Sequence, residues 1–129
     1  MNQQLGQLAL VVRDYNEAIE FYTTILGFEI LEDTELSTTK RWVRVRPKGT
    51  VGAELLLAKA ANEEQLSRVG NQTGGRVFLF LYTDDFDRDF DNYSSKGVVF
   101  VRPPEEQSYG KVAVFEDLYG NLWDLIQPK

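Results

Sequence analysis

The chain has 129 residues, 43% of them hydrophobic and 26% charged, with a formal net charge of −6 at pH 7, which predicts a single soluble-type domain large enough to bury a core. The absence of cysteine and histidine excludes disulfides, thiolate nucleophiles, Cys-ligated metal centres and a Ser–His pair, so any chemistry falls to carboxylates, amides, phenols, Lys or Arg. The acidic balance argues against a nucleic-acid partner. No apolar run approaches the roughly 20 residues of a membrane span, and the polar start Met1–Gln4 carries no secretory signal, so no membrane is expected and the cytoplasm is the expected compartment.

Leu8 to Val12 is an apolar run that predicts a strand. Asp14 and Glu17 have the spacing of an N-cap and capping box, and Ala18, Ile19, Tyr22, Ile25 and Leu26 recur at helical spacing up to Gly27, which suits the position after the last turn. Phe28 to Leu31, Arg41 to Arg46 and Ala53 to Ala58 predict three further strands, separated by the polar stretch Glu32 to Lys40 and by Pro47-Lys48-Gly49. Lys59 to Asn71 reads as a polar linker with at most one helical turn. The order then repeats: a strand over Val77 to Tyr82, a helix from about Phe86 to Lys96, and strands over Val98 to Arg102, Val112 to Phe115 and Leu122 to Ile126.

The repetition is visible in the residues themselves. Val12 to Tyr22, followed by Gly27-Phe28, is echoed by Thr83 to Tyr93, followed by Gly97-Val98. A duplicated module buries a surface between its halves, which is where a ligand is expected. The run of aspartates at 85, 87, 89 and 91 invites a calcium reading, but it lacks the glycine and terminal glutamate of a calcium loop. It also coincides with a helix start, where acidic residues complement the dipole. Gly74-Gly75 precedes a strand and opens no helix, so it is not a phosphate loop.

The pattern βαβββ, twice over, resembles the vicinal-oxygen-chelate superfamily of glyoxalases, bleomycin-resistance proteins and extradiol dioxygenases. The phrases that carry the likeness are Val11-Val12-Arg13-Asp14, Ala18-Ile19-Glu20-Phe21-Tyr22, Leu26-Gly27-Phe28 and Asp117-Leu118-Tyr119-Gly120-Asn121-Leu122-Trp123-Asp124-Leu125. The resemblance implies an α+β fold: tandem βαβββ repeats, over about 5–60 and 74–127, forming a curved, cup-like mixed sheet with helices on the outer face of one domain spanning 1–129. It also implies a small-molecule ligand in the cup and a homodimer.

Metal-dependent members of that superfamily carry four ligands, and the matching positions are Gln7, Glu54, Phe78 and Asp124. The repeat supports this register, because Asp14 matches Asp85 and stepping back by the same interval reaches Gln7 and Phe78. Glu54 in Gly52-Ala53-Glu54-Leu55 likewise matches Asp124 in Leu122-Trp123-Asp124-Leu125. Alternation places Gln7, Ala9 and Val11, and in the second repeat Phe78, Phe80 and Tyr82, on the cup side. Three positions offer oxygen and the fourth is a phenylalanine, and Asp124 reaches about 1.5 Å less far than a glutamate. The expectation is therefore no cofactor, or at most a weakly bound divalent metal, with Glu54 and Asp124 as polar groups in a wet cavity.

Trp42, Phe78, Phe80, Tyr82 and Tyr109 form a second candidate set, with Arg44 and Arg46 on the strand face of Trp42. Rings that stack and guanidinium forks that grip oxygens suit a flat ligand with an anionic or carbonyl group. Ordinary packing is the competing account, and Trp123 is expected in the core. Two function classes follow. One is metal-free binding of an aromatic or carbonyl-bearing molecule. The other is an enzyme: a glyoxalase-type lyase using Gln7, Glu54 and Asp124 as metal ligands, or an isomerase with Glu54 or Asp124 as catalytic base. Extradiol oxygen chemistry is disfavoured, since it needs a two-His iron site.

Overall fold

The computed structural model describes residues 1–49 and 52–129, and its contacts divide the chain into two compact units, Met1–Val69 and Gly70–Lys129. The first unit runs β1 (Gln7–Val12), α1 (Tyr15–Glu20) continuing into a π-helical turn (Phe21–Ile25), β2 (Glu29–Glu35), β3 (Arg41–Arg46), β4 (Glu54–Lys59) and α2 (Glu63–Arg68). Its sheet has the order β1-β4-β3-β2, with β1 and β4 parallel and the other neighbours antiparallel.

Local chemistry explains where α1 starts and stops. Asp14 is extended at φ −148° and its carboxylate accepts from the Glu17 amide at 2.9 Å, satisfying one of the helix's orphan donors. After the wider turn, in which the Leu26 amide donates to the Phe21 carbonyl at 3.0 Å, Gly27 takes φ 77°, a left-handed conformation that glycine adopts without penalty. Ala18, Tyr22 and Leu26 on this segment are buried, and α1 packs on β3 and β4. Leu10, Val12, Val43, Val45, Leu55 and Leu57 face it from the strands and are buried as well. Each fully buried aliphatic or aromatic side chain of this kind contributes about 1.5–3 kcal/mol.

β2 extends beyond the predicted Leu31 into the polar stretch that the sequence reads as a loop. The reason is cross-strand charge. Asp33 accepts from Arg41, Glu32 from Arg44 and Glu29 from Arg46, at 2.6, 3.0 and 2.8 Å respectively, so β2 and β3 form an antiparallel ladder of opposite charges. The loop proper is shorter, with the Leu36 amide donating to the Lys40 carbonyl at 2.8 Å. The predicted linker holds α2, whose Asn62 cap accepts from Gln65 while the Gln65 side chain accepts from the Ala61 amide, a reciprocal cap.

The second unit runs β5 (Val77–Tyr82), α3 (Phe86–Ser95), β6 (Phe100–Gln107), β7 (Gly110–Glu116) and β8 (Leu122–Pro128). Its order, β5-β8-β7-β6, repeats that of the first unit. Asp85 caps α3 by accepting from the Arg88 amide at 3.1 Å, so the aspartate run serves a helix start. β6 is longer than expected and passes through Pro103-Pro104. It is an edge strand with register shifts on either side of Arg102, which is where prolines are tolerated. Trp123 is buried and stacks on Phe115 with centroids 5.9 Å apart. No helix among the described residues is long and apolar enough to cross a membrane.

Candidate functional site

In the first unit, Gln7 and Glu54 are direct register partners on the parallel strands β1 and β4. Trp42, Arg44 and Arg46 alternate with the buried Val43 and Val45 and therefore lie on the face opposite α1. The Arg44 guanidinium donates to Glu54 at 2.6 Å and to Glu32 at 3.0 Å, and these carboxylates, Glu54 first, push its pKa further up. Arg46 donates to Glu29.

This geometry bears on the metal that the resemblance implies. A divalent cation at Glu54 has to displace a guanidinium fixed at 2.6 Å, and Gln7 adds only a neutral amide oxygen. Among the described residues no three or more Asp or Glu side chains gather closely enough to hold a metal ion. In this unit a cation would therefore meet one neutral amide oxygen, from Gln7, and one carboxylate already engaged by Arg44.

In the second unit, Phe78 lies where the β5–β8 register shifts between Val77 and Leu79, and Phe80 is the residue opposite Asp124. Phe80 and Tyr82 are 59% and 69% exposed, whereas their neighbour Leu81 is buried. Burial pushes the Asp124 carboxyl up, and the nearby Arg102 partly offsets this. Tyr109 lies on no strand face. It belongs to the turn between β6 and β7, is 58% exposed, and its carbonyl accepts from the Lys129 amide.

The first unit also contains a pocket of about 640 Å³, whose lining includes Tyr15, Trp42, Leu56, Ala58 and Gln65. It opens where the pairing of β3 and β4 ends at Val43 opposite Leu57, although the strands run on to Arg41 and Lys59. The Tyr15 hydroxyl accepts from the Arg41 amide at 3.1 Å. The Arg41 side chain lies over the Tyr15 ring at 5.1 Å and donates to Asp33 and Asn16.

Of the residues singled out from sequence, this pocket includes Trp42 and not Arg44. Sequence reasoning missed Tyr15, Lys40, Arg41 and Lys59. The available signal was weak: cations at the start of one strand and the end of another, which only the strand pairing makes neighbours.

Comparison with known proteins agrees with the topology. The model of the Glyoxalase/Bleomycin resistance protein/Dioxygenase superfamily matches residues 4–125. An uncharacterized protein of Shewanella frigidimarina (strain NCIMB 400) is 59% identical over 98% of this chain and 95% of its own length. Among solved structures, UcmS2 superposes with a TM-score of 0.85 at 29% identity, covering 98% of each chain. TnmS3, an antibiotic binding protein from Streptomyces sp. CB03234, gives 0.77 at 28% identity over 100% of this chain and 98% of its own.

Proposed function

The chain belongs to the Glyoxalase/Bleomycin resistance protein/Dioxygenase superfamily, and from that premise we propose that it binds a small aromatic or carbonyl-bearing molecule without a divalent metal. The observation that carries this reading is the Arg44–Glu54 ion pair at 2.6 Å. It places a fixed organic cation where a metal-dependent relative needs a free carboxylate. Phe78 at a second ligand position and the exposed rings of Phe80 and Tyr82 favour it further, since aromatic surface stacks on flat ligands. The description of TnmS3 as an antibiotic binding protein supports the same class for this chain.

The competing reading is a metal-dependent, glyoxalase-like lyase using Gln7, Glu54 and Asp124. One observation favours it, the direct pairing of Gln7 with Glu54. Metal content by mass spectrometry, on tag-free protein incubated with zinc, nickel, manganese or iron, separates the two. Binding without metal predicts sub-stoichiometric uptake that Glu54→Gln leaves unchanged. Near-stoichiometric metal that falls on Glu54→Gln contradicts it and moves attention to lyase assays.

A further inference from the structure

The pocket at the end of β3 and β4 carries a charge pattern opposite to that of the chain. The protein has 20 acidic and 14 basic residues, yet the pocket is lined by Lys40, Arg41 and Lys59 and by no carboxylate. The three cations are not equivalent. Arg41 is neutralised by Asp33, which holds it through two bonds at 3.0 and 2.6 Å. Lys40 and Lys59 have no ion-pair partner among the described residues. The same lining contains the half-buried Trp42 and the aliphatic Leu56 and Ala58.

The acceptor oxygens of Gln65 and Tyr15 are engaged by the Ala61 and Arg41 amides, which leaves the Tyr15 O–H and the Gln65 side-chain N–H groups as donors toward the pocket they line. What the pocket offers a ligand is therefore an aromatic and aliphatic wall with uncompensated ammonium charge at its rim. From this we infer that the pocket binds a small aromatic anion, its ring against Trp42 and its carboxylate or phenolate toward Lys40 and Lys59. This rests on the small-molecule-binding reading and names the ligand class. The ammonium groups attract the anion over several ångströms and in a salt-dependent way, while ring burial supplies the apolar part of the affinity.

Calorimetric titration of 2-naphthoate and of its neutral counterpart 2-naphthamide tests it. The expected result is saturable binding of 2-naphthoate that weakens about tenfold in the Lys40→Gln/Lys59→Gln variant and on raising salt to about 0.5 M. The amide is expected to bind about tenfold more weakly than the acid and to be insensitive to both changes. Trp42→Ala is expected to weaken both probes. Equal affinity for acid and amide, or an unchanged affinity in the lysine variant, overturns the anion preference while leaving small-molecule binding intact. Failure of both probes to bind at millimolar concentration overturns the anion site, and failure of neutral polycyclic aromatics as well overturns the small-molecule-binding reading.

Discussion

The Asp117 side chain ties together the turn between β7 and β8, beside the backbone bonds from its own amide to the Asn121 carbonyl and from the Gly120 amide to its carbonyl. One of its carboxylate oxygens accepts from the amides of Tyr119 and Asn121 and the other from the Asn121 side chain, each at 2.9 Å, and the residue is buried. Asp117→Ala strands those donors and is expected to lower stability by about 3 kcal/mol, measured by urea unfolding. Asp124 acts in the opposite sense. Its folded-state pKa is raised by burial, so its contribution to stability is fully present below its unfolded pKa and is lost as pH rises through the folded value. Asp124→Asn is therefore expected to raise the melting temperature at neutral pH, with the difference from wild type vanishing below the ordinary carboxylate range. A variant less stable than wild type at pH 7 contradicts this assignment.

At the scale of elements, caps and cross-strand charges set the boundaries. Asp85→Ala removes the α3 cap and is expected to cost about 1 kcal/mol, whereas Asp91→Ala, on the exposed side of the same helix, should be near neutral in thermal melts. The caps at Asp14 and Asp85 and the apolar alternation of β1, β3 and β5 were legible because they are local patterns. The extension of β2 was not. Glu32 to Glu35 resembles a loop by composition, and only the arginines of β3 opposite make it a strand. The same limit hid the length of β6, whose prolines are tolerated at an edge.

For the whole molecule, duplication was the strongest signal in the sequence, and both units carry the same strand order. The α+β class followed from it together with the resemblance carried by Val11-Val12-Arg13-Asp14, Leu26-Gly27-Phe28 and the Asp117 to Leu125 phrase, which also pointed to the family. The site was legible only in part. Alternation placed Trp42 and Arg44 on one face, but the partners of Arg44 and the pocket beside Trp42 depend on where strand pairing begins and ends, which no local pattern records. The central claim, ligand binding without metal, is tested most directly by titrating tag-free protein with a panel of aromatic carboxylates and neutral aromatic carbonyl compounds, followed by tryptophan fluorescence, once with a chelator and once with added divalent metal. The account predicts saturable quenching with the same Kd in both conditions. Binding that appears only with metal contradicts it.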